Sequence, residues 1–96
     1  MEVQEALARL RFLVNHGRFQ IVRRRKRMAM PGSRDLAKEL VRHLLVTDFV
    51  KKEPNRNNPT QFVWIFKTSN GEVYYLKFVF VDNFQKVVFI SFHLDH

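Results

Sequence analysis

The chain has 96 residues, of which 46% are hydrophobic, so it can form one domain with a single core but not two domains. It has no cysteine, which excludes disulfides, thiol nucleophiles and thiolate metal sites, and no apolar run of about 18 residues that could cross a membrane. Lys and Arg outnumber Asp and Glu by 17 to 9, and the net charge of +8 favours an anionic partner, nucleic acid or an acidic protein. The N-terminus lacks the apolar block of a signal peptide, so we expect a cytosolic protein.

The first half of the chain predicts two helices separated by a short strand. Apolar residues recur at helical spacing over residues 3–15, and Gly17 follows as a helix stop. The alternation in "RFQIV", residues 18–22, predicts a strand. Ser33 is a suitable N-cap for a second helix over residues 34–45. The inner stripe of that helix is predicted to comprise Leu36, Ala37, Leu40, Val41, Leu44 and Leu45.

A dense basic run lies between these two helices. It consists of Arg23, Arg24, Arg25, Lys26 and Arg27. No acid occurs from Ala6 to Arg34, against nine bases in the same stretch. This asymmetry predicts contact with a polyanion such as an RNA backbone, although a solvated basic surface that only maintains solubility is the alternative.

The second half of the chain predicts a run of strands, because the apolar period changes there from 3.6 to 2. Strands are expected over residues 61–67, 73–82 and 86–93, with a hairpin turn at Asn70-Gly71, and residues 53–60 are expected to form a polar loop. The order α-β-α-β-β-β predicts an α+β fold in which two helices pack on one face of a mainly antiparallel sheet.

Strand alternation divides the side chains of this sheet between two faces. The face beneath the helices is expected to carry Phe62, Trp64, Phe66, Tyr74, Leu76, Phe78, Phe80, Val88, Ile90 and Phe92. The opposite face is expected to carry an apolar group, Val63, Ile65, Val79, Val81 and Phe89. At one end of that face lies a polar cluster, which consists of Lys67, Tyr75, Lys77, Ser91 and His93. The expected turns place Tyr75 opposite both Ile65 and His93, and Lys77 opposite both Val63 and Ser91.

The polar cluster suits metal-free RNA cleavage. That reaction needs a base for the ribose 2′-hydroxyl, cations for the phosphorane charge and an acid for the leaving 5′-oxygen. Lysines supply charge, and His and Tyr can move protons, while no acid lies on this face of the predicted strands. The four histidines are isolated in sequence, so neither a metal nor a cofactor is expected. An ordinary solvated strand face is the alternative interpretation.

Four segments resemble a known family in order and spacing. The segments "LVNHGRFQIVRRR", "LVTDFVKKE", "VWIFK" and "GEVYYLKFVFVDNFQKVVFISFH" are similar to the motility-quorum-sensing-regulator (MqsR-type) toxins. This resemblance implies a RelE-like fold and one domain over residues 1–96. It also implies an mRNA interferase, an endoribonuclease of a type II toxin–antitoxin system. The substrate would be mRNA, the protein partner a cognate antitoxin, and the location the cytoplasm of a bacterium or archaeon.

The resemblance also implies individual site residues. The match to "DFVK" makes Lys51 a catalytic-region lysine, and Tyr75 and Lys77 match the family's Val-Tyr-Leu-Lys. The position of a family lysine is occupied here by His93. The position of a family glutamine is occupied by Ile65, which cannot perform the polar role of that glutamine, whereas Lys67 on the same face can. The expected catalytic residues are therefore His93, Tyr75, Lys51, Lys67 and Lys77. The expected RNA contacts are Arg23, Arg24, Arg25, Lys26, Arg27, Lys52 and Ser91.

Two other functions fit the same sequence. A non-catalytic nucleic-acid-binding module would need the same basic charge but no proton-moving pair. An inactive toxin relative would act as a protein-interaction domain and dock through Val79, Val81 and Phe89. Ile65, at a position that is polar in the resembled family, favours this second alternative.

Overall fold

The computed structural model describes residues 1–22 and 33–94, with the backbone alone at residues 33, 70 and 92–94. The elements in chain order are α1 (Val3–Asn15), β1 (Phe19–Ile21), α2 (Ser33–His43), a 3-10 turn (Val46–Asp48), β2 (Phe49–Asn55), β3 (Asn58–Asn70), β4 (Glu72–Val81) and β5 (Lys86–Leu94). No helix in the described part of the chain is long and apolar enough to cross a membrane.

The strands form one five-stranded sheet in the order β1-β5-β4-β3-β2. Only β1 runs parallel to its neighbour β5, and the other three pairings are antiparallel. The predicted α+β class is confirmed, with β2 as an additional edge strand. The prediction of a polar loop over residues 53–60 is wrong, because β2 continues to Asn55 and β3 begins at Asn58. An edge strand tolerates Pro54 and consecutive charged residues, which disguised it in the sequence.

Both helices pack on one face of the sheet and form the main core with it. The buried residues of α1 are Ala6, Leu7, Leu10, Leu13 and Val14, and those at α2 are Ala37, Leu40, Val41 and Leu44. The Arg11 guanidinium of α1 donates to the carbonyls of Val41 and Leu44 at the C-terminal end of α2, where a cation is electrostatically favoured. Leu45, expected in the inner stripe, is 59% exposed because α2 ends at His43.

A β-bulge in β5 changes which face its residues occupy. Lys77 pairs with Ser91 but Phe78 pairs with Phe89, so Ile90 is an extra residue on the β5 side. Phe89 is therefore fully buried in the main core, with ring centroids 6.0 Å from Phe19 and 5.9 Å from Phe78. The expectation that Val88 and Ile90 face the helices and Phe89 faces away is wrong.

The face away from the helices, here called the site face, has a small hydrophobic cluster of its own. Val63, Ile65 and Val79 are buried there, and Tyr75, Val81, Val88 and Ile90 pack against them. The docking surface expected from Val79, Val81 and Phe89 is wrong, because Val79 is 4% exposed and Phe89 lies on the other face. Phe62 also departs from expectation, since it is 46% exposed rather than part of the core.

Candidate functional site

The backbone register brings the polar cluster together on the site face. Lys67 of β3 pairs with Tyr75 of β4, which in turn pairs with His93 of β5. The adjoining row pairs Lys77 with both Ile65 and Ser91, and Lys51 of β2 pairs with Ile65. Directly opposed residues lie about 5.5 Å apart or less and share a face. Lys51 therefore lies beside the polar cluster.

Two of the predicted pairings are confirmed and two are wrong. Tyr75 lies opposite His93, and Lys77 opposite Ser91, as expected. Ile65, however, lies opposite Lys77, so the expected pairings of Ile65 with Tyr75 and of Val63 with Lys77 are both wrong. The strands continue to Asn70 and Glu72, which pair around Gly71 alone at φ +82°, a conformation that favours glycine. The resulting shift of two residues preserves the face and places Lys67 directly opposite Tyr75.

The side chains of this region differ in exposure. Lys51 and Lys67 are exposed, whereas Tyr75, Lys77 and Ser91 are half-buried. The Lys77 ammonium lies 6.0 Å from the centre of the Tyr75 ring. Ile65 lies between the Lys51 and Lys77 positions and is only 1% exposed, so a buried apolar side chain separates the two lysines. An apolar side chain lowers the local dielectric constant and strengthens the attraction between the lysines and a phosphate.

The site face also carries a carboxylate that the sequence pattern did not predict. Glu53 pairs with Val63 across β2 and β3, and its carboxylate lies 3.2 Å from the Lys51 ammonium. The expectation that no acid lies on this face is therefore wrong, because residues 53–55 extend β2 instead of forming a loop. In the absence of a bound anion, Glu53 forms an ion pair with Lys51 and partly neutralises its charge.

Lys52 lies on the opposite face from Lys51. Its ammonium is 4.8 Å from the ring centre of Phe62 and 4.9 Å from that of Trp64, on the helix side of the edge strand. The structure thus separates Lys52 from the polar cluster. The basic run from Arg23 to Arg27 lies outside the described residues, so its expected RNA contacts stay a prediction.

Within residues 1–22 and 33–94, no group of three His, Asp or Glu side chains is placed to hold a metal ion. The chemical inventory of the cluster is cationic and hydroxyl-bearing. Its lysines can bind a phosphate, and its tyrosine and serine can donate or accept hydrogen bonds.

Comparison with known protein families gives one match. The family described as motility quorum-sensing regulator, toxin of MqsA, matches residues 3–94, nearly the whole chain. No individual curated protein matches the chain. The matched range contains Lys51, the complete polar cluster and all strands of the sheet.

Proposed function

The chain belongs to the MqsR toxin family, a family of toxin–antitoxin toxins, and from this we propose that it is a metal-independent endoribonuclease that cleaves mRNA. Cleavage would inhibit translation and growth. The observation that carries the proposal is the register that aligns Lys67, Tyr75 and His93 across three adjacent strands, with Lys77 and Ser91 in the next row.

The reaction is transesterification within the RNA. The ribose 2′-oxygen attacks the adjacent phosphorus, the bond from phosphorus to the 5′-oxygen breaks, and the products carry a 2′,3′-cyclic phosphate and a 5′-hydroxyl. The 2′-hydroxyl passes its proton to solvent, and the 5′-oxygen gains one from the general acid. His93 is the proposed general acid for the 5′-oxygen, because imidazole ordinarily titrates near ~6.5 and exchanges protons at neutral pH. Tyr75, opposite it, orients the 2′-hydroxyl or assists its deprotonation.

The lysines stabilise the charge that develops on the phosphorane. Two lysines adjoin Tyr75. Lys67 lies directly opposite Tyr75 on β3, and Lys77 lies two residues further along β4. Lys51 extends this cationic surface to the sheet edge. Preorganised cations of this kind act mainly in the transition state, where the negative charge is greatest. Ser91, Lys52 and the run Arg23 to Arg27 are proposed RNA-binding residues.

The test is RNA cleavage by His93→Ala, with His16→Ala as the matched control because His16 is an exposed histidine at the C-terminal cap of α1. We expect His93→Ala to lower the cleavage rate by about 10²–10⁴ while RNA binding changes little, since positioned acid–base groups contribute about that factor. His16→Ala should cleave normally. The products should carry 5′-hydroxyl ends and form equally well in EDTA.

Two results would contradict this proposal in different ways. Full activity of His93→Ala would transfer the catalytic role to Lys51 or Lys67. Loss of cleavage in EDTA, or products with 5′-phosphate ends, would indicate a metal-dependent nuclease.

A cognate antitoxin is the proposed protein partner, in the cytoplasm of a bacterium or archaeon. Expression of the wild-type chain without it should arrest growth and degrade mRNA. Harmless expression at a high level would favour an inactive relative that acts through protein contacts, an alternative supported by the buried Ile65 at a position that is polar in the resembled family. RNA binding without cleavage would favour a non-catalytic nucleic-acid-binding module.

A further inference from the structure

A concave surface lies on the helix side of the sheet, away from the polar cluster. We call it the edge groove; it has a volume of about 400 Å³, and its lining includes Lys52, Phe62, Trp64, Phe80 and Phe84. Thr60, Gln61, Asn83 and the acidic Asp82 add polar groups to its lining. The proposed catalytic residues take no part in it.

The edge groove combines exposed aromatic rings with a cation. Phe62 and Phe84 are each 46% exposed, although phenylalanine is usually buried. The Lys52 ammonium lies over the rings of Phe62 and Trp64. Aromatic platforms beside a basic side chain are the usual means by which proteins hold single-stranded nucleic acid, since bases stack and phosphates pair with cations.

The turn that supplies Phe84 is held in an unfavourable conformation. Asp82, Asn83 and Phe84 have φ values of +52°, +59° and +65°. Asp and Asn tolerate this left-handed region, but a phenylalanine there is strained. The Phe84 ring is held 5.8 Å from that of Phe80. Such strain concentrates at ligand-binding positions, where it fixes a side chain that would otherwise turn away.

The edge groove and the proposed RNA site lie on opposite faces of the sheet and share one edge strand. Lys51 and Lys52 are consecutive on edge strand β2, so their side chains emerge on opposite faces of the sheet. Lys51 extends the polar cluster, and Lys52 lies in the edge groove. A nucleic-acid strand that leaves the polar cluster across this edge would meet both ammonium groups in succession.

We propose that the edge groove binds a nucleobase of the RNA substrate a few nucleotides from the cleaved bond, by stacking on Phe62 and Phe84 with Lys52 on the adjoining phosphate. This inference rests on the proposed RNA substrate. Gln61 and Asn83 bring amide groups to the edge groove. Gln61 Oε1 already accepts from Asn55 Nδ2 at 3.1 Å, which leaves its amide nitrogen to donate to the edge of a base, so the edge groove would contribute to sequence preference. The aromatic rings beside the Lys52 ammonium favour a stacked base of RNA over a protein segment.

Trp64 provides a direct readout, because it is the single tryptophan of the chain and lines the edge groove. The probe is a 2′-O-methyl RNA hexanucleotide, which lacks the nucleophilic hydroxyl and stays intact. Binding should change Trp64 fluorescence saturably, and inorganic polyphosphate, which has charges but no bases, should not. Phe62→Ala should weaken hexanucleotide binding by about 5- to 140-fold, the equivalent of one lost stacking contact.

Phe12→Ala is the matched control, because Phe12 on α1 is also 46% exposed but lies outside the edge groove. It should bind the hexanucleotide like wild type. Lys52→Met provides a second variant and should reduce the salt dependence of binding. Circular dichroism should show that Phe62→Ala and Lys52→Met are folded, since Phe62 and Lys52 are exposed.

The outcomes separate this inference from the proposed function. If the protein binds the hexanucleotide through Phe62 but cleaves no RNA, the edge groove proposal stands and the nuclease proposal fails. If labelled hexanucleotide binds with no Trp64 response, or Phe62→Ala binds as well as wild type, the edge groove proposal is overturned. If Phe62→Ala weakens binding of the antitoxin but not of RNA, the edge groove is a protein-docking surface instead.

Discussion

Replacement of Glu53 by Gln should strengthen RNA binding on the site face. The Glu53 carboxylate lies 3.2 Å from the Lys51 ammonium, and the two side chains are 43% and 58% exposed. An incoming phosphate therefore competes with Glu53 for Lys51. The Glu53→Gln substitution would keep the size of the side chain and remove the competing charge, so Lys51 would become fully available to RNA.

The size of the effect follows from the geometry of the pair. Coulomb's law gives about 1.3 kcal/mol for unit charges at that separation in bulk water. Exposure, salt and side-chain entropy reduce such pairs to roughly 0.2–1 kcal/mol. Glu53→Gln should thus cost the fold no more than about 1 kcal/mol and tighten RNA binding by about 1.4- to 5-fold. One additional phosphate contact would steepen the dependence of log affinity on log salt by roughly 0.7.

The assay is fluorescence anisotropy of a labelled 2′-O-methyl RNA across a salt series. Glu72→Gln is the matched control, because it makes the same change in net charge at an exposed position on β4 that alternates to the helix side. A general electrostatic effect would give both variants the same slope and affinity. That equality would refute the assignment of Lys51 to the RNA surface.

Three further predictions concern the fold. Phe89→Ala should lower the free energy of unfolding by about 3–5 kcal/mol in urea denaturation, because Phe89 is fully buried. Val88→Ala should lower it clearly less, because Val88 is only half-buried. Equal losses in the two variants would contradict the β-bulge in β5. Arg11→Met should cost about 1.5–3 kcal/mol through its lost bonds to α2 carbonyls, again measured in urea. The hydrogen bond from His43, with a further contribution from Arg42, lowers the pKa of the Glu39 carboxyl below its usual range. The stability advantage of wild type over Glu39→Gln should therefore be present at neutral pH and be lost as the pH falls through the usual glutamate range to the lowered pKa.

Strand alternation was sufficient to predict most of the polar cluster. Trp64, Phe66, Leu76 and Phe78 alternate regularly with polar or β-branched neighbours, so the helix side of β3 and β4 was predictable. The error of two residues in the β3–β4 register left every face unchanged, since side-chain direction repeats with period two. The prediction that the residues of the polar cluster share the site face therefore holds even though the predicted turn length was wrong.

Other features gave no usable signal in the sequence. The segment "KVVFISFH" has apolar residues at four successive positions, Val87 to Ile90, so alternation cannot reveal where a bulge interrupts it. Strand β2 carries Lys51, Lys52, Glu53 and Pro54, a composition typical of a loop. The edge groove depends on the second of these features, since Lys52 of β2 lines it.

The bulge in β5 lets one short strand serve both the core and the proposed site. Without it, Phe89 and Ser91 would share a face, and either a phenylalanine would occupy the site face or Ser91 would enter the core. The extra residue Ile90 reverses the alternation between them, so Phe89 anchors β5 beneath the helices while Ser91 pairs with Lys77 on the other side. Ile90 itself packs against the hydrophobic cluster under Tyr75. The position of the proposed catalytic rows is thus fixed by packing on both faces of the same strand.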